Sequence, residues 1–459
     1  MRTKQTSVFL FYGLYIRQYL INFTETRLLF MKNLTNKHIH IENFRHYVSS
    51  GKTAFFEKYG MDFVMGRRKA SWLTDTDREK KLFNLHCNGG VFNLGHRNPE
   101  IIDVIKSAMD ELDMGNHHLL SKERATLARM MSDLMPGDLN YTIFGVSGGE
   151  AVDTAIKVAR SFTGKSEIIS AKGGYHGHTG LALAAGDEAY RKPFGANLPG
   201  FMQVTFGDLD ELKHAVNSET ASVILETIPA TLGIVIPDKD YLQGVRHLCD
   251  ETGALLILDE VQTGFGRTGK LWGFEHYDIL PDIVVLGKGM SGGMYPITTT
   301  VIRQPLEKVF HPDPFIHIST CGGSEIGCRV AMKVLEMSSS PSFLNYVNTL
   351  ASAFQTNLEE LQTKHHRFFK EVRQLGLMMG LKLDDELSGP ILTKTAYDND
   401  LLLIYAKNDQ SVCQFLPPLV MKLGNIPHII TQLDGAMTSA KRLKPLAKGK
   451  KFIDKILGD

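Results

Sequence analysis

Five short, mostly apolar runs pace the middle of the chain: Tyr141–Phe144, Glu167–Ser170, Ala221–Leu225, Leu255–Leu258 and Pro281–Leu286. Runs of this length bounded by turn residues read as strands buried in a parallel sheet. The stretches between them carry apolar residues at helical spacing, as in Tyr241–Thr252, which leads back to the Leu255 run. Strand, helix, strand with short connections demands right-handed crossovers and a mainly parallel sheet. The pattern differs on either side of this block. Upstream, Gly60–His86 alternates apolar and polar residues and reads as short strands of a small antiparallel layer. Pro99 opens a helix, and the amphipathic Leu119–Met135 ends at Pro136-Gly137. Downstream, Glu325–Met337 is helical and Ser338–Pro341 reads as a surface break. A long helix then runs from Ser342 to Lys364, with strands in Val372–Leu383 and Val412–Met421.

Two of the central runs end on chemistry. Leu255–Leu258 stops at Asp259, and Pro281–Leu286 stops just before Gly287-Lys288-Gly289. In open α/β sheets ligands bind at the carboxyl ends of the strands, so an acid and an amine are delivered to one rim. A lysine there, beside glycines, is a candidate Schiff-base nucleophile. An aspartate facing it is a candidate partner for a pyridinium nitrogen. Together they are what a pyridoxal phosphate site needs. The run Tyr141–Phe144 leads into Gly145-Val146-Ser147-Gly148-Gly149 and a helix from about Glu150. Glycines at a helix N-terminus let backbone N–H groups point at a phosphate.

The composition permits this reading without pointing to it. At 459 residues, 43% hydrophobic and 22% charged, the chain has room for a large core and two domains. A net charge of +1 gives no reason to expect nucleic acid or a membrane surface as partner. Cys87, Cys249, Cys321, Cys328 and Cys413 are odd in number and scattered, which reads as reduced intracellular thiols and a cytoplasmic protein. The 17 histidines show no metal-ligand spacing, so no metal is expected. Residues 1–30 carry four basic residues and one acid, with no run long enough to span a bilayer. They read as an N-terminal extension, a targeting presequence being the alternative.

The stretch Asp259-Glu-Val-Gln-Thr-Gly-Phe-Gly-Arg-Thr-Gly269, with Pro281-Asp282-Ile283, Gly287-Lys288-Gly289 and Gly292-Gly293 after it, closely resembles the signature of the class III pyridoxal-phosphate-dependent aminotransferases. The resemblance runs from about residue 40 to 445. It implies an α/β fold of fold-type I: a large domain with a mainly parallel seven-stranded sheet, and a small α+β domain. On that scheme residues 31–90 and 342–459 build the small domain, and 91–341 the large one. It also implies a transaminase with Lys288 and Asp259 as catalytic pair. Gly148 and Gly149 would take the cofactor phosphate, Tyr175 would cover the ring, and Gln262 would meet its phenolic oxygen. Thr320 would reach the phosphate of a neighbouring subunit, so that a homodimer shares its sites. The same fold hosts aminomutases, racemases and a decarboxylase, which differ in where the proton goes.

Several positions depart from the family pattern. Gly149 stands where a hydroxyl residue is common. His178 and Gln414 stand where many members carry arginines that grip a substrate carboxylate. Glu226 matches an acid that, in some members, pairs with one of those arginines. With both forks gone, the substrate is expected to need no clamped α-carboxylate: an ω-amine, a diamine, or an amino ketone or aldehyde. Glu226, His178 and Gln414 would face its tail, and Arg373 is a candidate to hold a keto acid acceptor instead. The C-terminal Lys441–Asp459 is expected to be a basic, solvated tail.

Overall fold

The computed structural model describes residues 37–457, with side chains up to 447. Two compact units divide the chain. The smaller holds the described residues up to Arg67 together with Leu73–Leu82; the larger holds Arg68–Trp72 and Phe83 onward. The smaller unit contains the helices Lys37–Tyr47 and Ser50–Lys58. Its buried Asp75 carboxylate pairs with Lys37 at 2.8 Å. The alternating pattern read upstream becomes the short strands Met65–Lys69, Trp72–Asp75 and Lys81–Asn84, the last of which pairs in parallel with Leu401–Leu402.

The larger unit is built on one seven-stranded sheet. Its strands are β1 (Leu139–Gly145), β2 (Glu167–Ala171), β3 (Phe201–Val204), β4 (Thr220–Glu226), β5 (Leu255–Asp259), β6 (Ile283–Leu286) and β7 (Thr298–Arg303), in the order β1-β7-β6-β5-β4-β2-β3. All neighbours pair in parallel except β7, which runs against both β1 and β6. The two faces of the sheet bury separate cores. Val223, Leu225, Leu256, Leu258, Val284 and Leu286 pack on one side. Ile224, Leu255, Ile257, Ile283 and Val285 pack on the other. That alternation is why β4, β5 and β6 read as unbroken apolar runs: a strand covered on both faces has no solvent side to be polar on.

The connecting helices follow from local chemistry. Ser147 caps the helix Gly148–Thr163, its side chain accepting from the Glu150 N–H at 3.2 Å, and Gly164 ends it in the left-handed conformation at φ 69°. The helix therefore begins two residues earlier than the apolar spacing indicated. Toward the C-terminus, β-strands Phe369–Leu375, Met378–Leu383, Ile404–Tyr405 and Val412–Phe415 form a small antiparallel sheet. It packs with the helix Pro341–Lys364 around Phe354, Leu381 and Phe415.

The expected break is a short surface corner: the helix Glu325–Ser338 ends on a buried Ser338, Ser339 and Ser340 are half-buried, and the exposed Pro341 opens the next helix at once. The expected C-terminal tail is helical, continuing the helix Ile426–Leu457, and its side chains beyond 447 lie outside the described residues. Of those described most are exposed, with the exception of Lys444, which is buried against Asp384 and Asp385 at 2.5 and 2.8 Å. A lysine with two carboxylate partners tolerates burial that an unpaired one does not. Among the described residues no helix is long and apolar enough to cross a membrane.

Candidate active site

Parallel register assembles the site. Glu226, last in β4, lies directly across from Asp259, last in β5, and Asp259 lies across from Val285 in β6. Lys288 follows β6 after a single glycine. Its backbone adopts φ 41°, a left-handed conformation unusual for a side-chain-bearing residue. The three side chains line one cavity of about 400 Å³ together with Gly148, Gly149, Tyr175, His178 and Gln262. Lys288 Nζ donates to Gln262 Oε1 at 2.9 Å. Among the described residues lining this cavity there is no arginine.

Burial sets the charges. It pushes the Lys288 amine below its ordinary value, against the upward pull of Asp259 and Glu226. An amine so shifted deprotonates more readily, which a nucleophilic lysine requires. Burial also raises the Glu226 carboxyl to about 7, opposed by His176 and by the Tyr175 N–H, which donates to Oε1 at 2.9 Å. His176 is buried, and its Nδ1 lies 2.9 Å from Asp259 Oδ2. Burial disfavours the imidazolium, but that hydrogen bond and the charges of Asp259 and Glu226 outweigh it, and the His176 value is raised. The other Asp259 oxygen accepts the Val261 N–H at 3.0 Å. Asp259 is thus an oriented carboxylate at the floor of the cavity.

Glycines shape the opposite wall. A Cβ on Gly149 would stand 2.7 Å from Thr179 Oγ1, and one on Gly177 would stand 2.7 Å from Gly149 Cα. This explains the departure at Gly149: the Thr179 hydroxyl already occupies the position that a side chain there would claim. The N–H groups of Gly148 and Gly149 open a 16-residue helix, whose dipole favours an anion at that end.

The residues 56–437 match the family described as aminotransferase class-III. An uncharacterized aminotransferase of Archaeoglobus fulgidus is 51% identical over 417 residues, spanning 91% of this chain and 97% of its own length. The chain belongs to the class-III aminotransferases. A putrescine aminotransferase of Pectobacterium atrosepticum is 32% identical over 428 residues, 88% of this aminotransferase and 91% of the relative. A crystal structure of the ornithine aminotransferase of Toxoplasma gondii superposes with a TM-score of 0.81 over 89% of the chain and 96% of the neighbour. At 23% identity that likeness bears on fold alone.

This aminotransferase works with pyridoxal 5'-phosphate, as its family does, and the cavity fits that group. It supplies a buried amine of depressed pKa, an oriented carboxylate, and a glycine cradle at a helix N-terminus. Gln262 Nε2 is a buried donor with no hydrogen-bond partner in the protein.

The residues expected to line the site do not all gather there. Thr320, expected to serve a neighbouring subunit rather than this cavity, is exposed and outside it. Gln414 is buried in the small sheet opposite Gly380 and Ile404, likewise outside it. Arg373 is engaged elsewhere, donating to the Gly233 carbonyl at 2.8 Å and lying 3.9 Å from Asp409. Other residues were not anticipated. His176, next to Tyr175, carries no mark in the sequence of its contact with Asp259. Gly89 approaches so closely that a Cβ there would sit 3.2 Å from Lys288 Nζ. His86 is lowered to about 4 by burial and by the Lys288 charge. A Gly-Gly pair at 89–90 was the only sequence signal for that loop.

Proposed function

We propose that this aminotransferase takes its amino group from primary amines that present no clamped α-carboxylate, and passes it to a keto acid or aldehyde. The observation that carries this reading is a cavity holding two carboxylates and an amine but, among the described residues, lined by no arginine. A carboxylate tail entering it would meet Glu226 and Asp259 with no guanidinium to offset them. The putrescine aminotransferase relative supports an amine donor.

In this reading Lys288 would hold the cofactor and move the proton: its amine is basic enough to take a proton from the substrate carbon, and its depressed pKa lets it give the proton back. Asp259, held by His176 and the Val261 N–H, would present its carboxylate to the ring nitrogen. The Gly148 and Gly149 N–H groups would hold the phosphate with the Thr179 hydroxyl beside them, Gln262 Nε2 would meet the phenolic oxygen, and Tyr175 would cover the ring. The bound cofactor supplies the electron sink that stabilises the carbanion.

The exposed position of Thr320, away from its own cavity, supports a homodimer in which it serves the neighbour's phosphate. Five unpaired cysteines support a cytoplasmic location.

The test is the visible absorbance of the purified holoenzyme as amines and α-amino acids are added singly without acceptor. Bleaching by simple amines is the expected result. Bleaching by α-amino acids alone sinks the substrate reading. Light scattering on the same sample tests the dimer.

A further inference from the structure

Arg267 is fully buried, and among the described residues no carboxylate pairs with it. Burial lowers its pKa only to about 10, so the charge is kept at neutral pH. A charged side chain taken out of water without an acid needs several hydrogen bonds to stay there. Arg267 has them on three sides. Nη1 donates to the carbonyls of Leu377 at 3.1 Å and Pro417 at 2.8 Å, in the C-terminal part of the chain. Nη2 donates to Asn93 Oδ1 at 2.5 Å, and the guanidinium also bonds the Cys87 side chain. Burial pushes that thiol up to about 12, so it is a neutral partner. Cys87 and Asn93 bound the loop whose Gly89, at φ 65°, lies against Lys288 Nζ. One guanidinium therefore holds both ends of the loop that presses on the amine. Asn93 carries the contact further. A Cβ on Gly289, the residue after Lys288, would stand 3.0 Å from Asn93 Nδ2, and a Cβ on Gly90 would stand 3.3 Å from Asn93 Oδ1. The Asn93 amide thus fills the space between this loop and the turn that carries Lys288.

We propose that Arg267 and Asn93 are positioning residues for Lys288: the guanidinium fixes the amide, and the amide fixes the loop and the turn between which the amine stands. This rests on the part given to Lys288 above and adds what holds it in place. The choice of partners follows from the charges already there. Asp259 and Glu226 both pull the Lys288 amine upward, and His86, beside Cys87, feels the Lys288 charge. A carboxylate at position 93 would pair with Arg267 but bring a third acid close to the lysine turn. Carbonyl, amide and thiol partners hold the arginine without doing so. The tie also depends on shape. A lysine at position 267 would keep the charge, but its single nitrogen cannot serve Asn93, Cys87 and two carbonyls as a planar fork does.

The test follows the Lys288 amine in cofactor-free protein, by its rate of modification with trinitrobenzenesulfonate across pH and by mapping of the labelled peptide. Asn93→Asp is expected to raise the pH at which the amine becomes reactive. Arg267→Lys and Asn93→Leu are expected to slow recombination with pyridoxal phosphate, followed by absorbance. In all three, the half-reaction of the holoenzyme with n-butylamine is expected to lose kcat by about tenfold or more with little change in KM, because the residues lining the cavity are untouched. Urea midpoints show which variants are folded, and the change at position 93 decides the matter if the one at 267 does not fold. Folded variants whose amine reactivity, recombination rate and kcat all stay within about twofold of wild type, while only the urea midpoint falls, overturn the proposal: the tie would then serve stability alone. A Lys288→Ala protein that takes up the cofactor with the wild-type absorbance band overturns the reading of Lys288 itself, and the proposal with it.

Discussion

Replacing His176 by leucine tests how the floor of the site is built. His176 is buried, and its Nδ1 is 2.9 Å from Asp259 Oδ2. The substitution removes that donor and leaves the carboxylate with the Val261 N–H alone. A hydrogen bond to a charged group contributes about 1.5–3 kcal/mol, so the half-reaction with an amine should slow by roughly ten- to a hundredfold. Asparagine carries an amide nitrogen near the position of Nδ1, and His176→Asn should recover much of that loss. The pH dependence has a definite sign. The folded His176 value lies above its ordinary 6.5, so its contribution to stability is fully present below that value and is lost as pH rises through the higher folded one. Urea unfolding of cofactor-free protein should therefore show the largest deficit for His176→Leu below pH 6.5, narrowing at alkaline pH. A His176→Leu half-reaction within twofold of wild type, or an asparagine variant no better than leucine, would refute the view that His176 orients Asp259.

Three other outcomes follow from the geometry. Glu226 is raised from 4.5 to about 7, so its contribution to stability is present below 4.5 and is lost as pH rises toward neutrality. Glu226→Gln should thus be more stable than wild type above pH 7, by at most about 3 kcal/mol, with the gain shrinking in acid; urea midpoints across pH will show it. Thr179→Ala should weaken cofactor affinity, and Gly149→Ser alone should weaken it too, because its Cβ would press on Thr179 Oγ1 at 2.7 Å. The double variant, with room made and a hydroxyl returned, should bind cofactor better than either single one in equilibrium dialysis. Gly89→Ala places a Cβ 3.2 Å from Lys288 Nζ in a residue at φ 65°. It should cost about 1–2 kcal/mol in stability and slow recombination of apoprotein with cofactor, followed by absorbance.

What the sequence made legible divides along physical lines. A fully buried parallel strand must be an unbroken apolar run, so β4, β5 and β6 and the acids ending β4 and β5 stood out. Lys288 stood out because glycines flank it where a strand stops. Parallel pairing then fixes Glu226 opposite Asp259; Asp259 was expected at the rim from its place at a strand end, Glu226 at the substrate only through the family resemblance. His176 was not, because a histidine in a glycine-rich loop has no local mark showing that it will reach an aspartate 83 positions away. Gln414 shows the opposite limit. Its place before Pro417-Pro418 was readable, but the strand register that turns it away from the cavity was not.

The backbone around the amine argues that its position is bought with strain. Lys288 at φ 41° stands opposite a loop in which Cys87 and Asn88, both at φ 50°, precede Gly89 at φ 65° and Gly90 at φ 103°. Side-chain-bearing residues in this region cost on the order of 1–3 kcal/mol each, and the surrounding core must hold them there. That core is present: Cys87 is fully buried, and Arg267 reaches Asn93 from one side and the carbonyls of Leu377 and Pro417 from the other. The strained turn after β6 returns the Lys288 side chain to Gln262, above the end of β5. The left-handed loop brings the bare Cα of Gly89 against the amine from the other side. A relaxed backbone at either place would allow the lysine several directions. The two together leave it one, and that single direction holds the Lys288 amine in the cavity that Asp259 also lines.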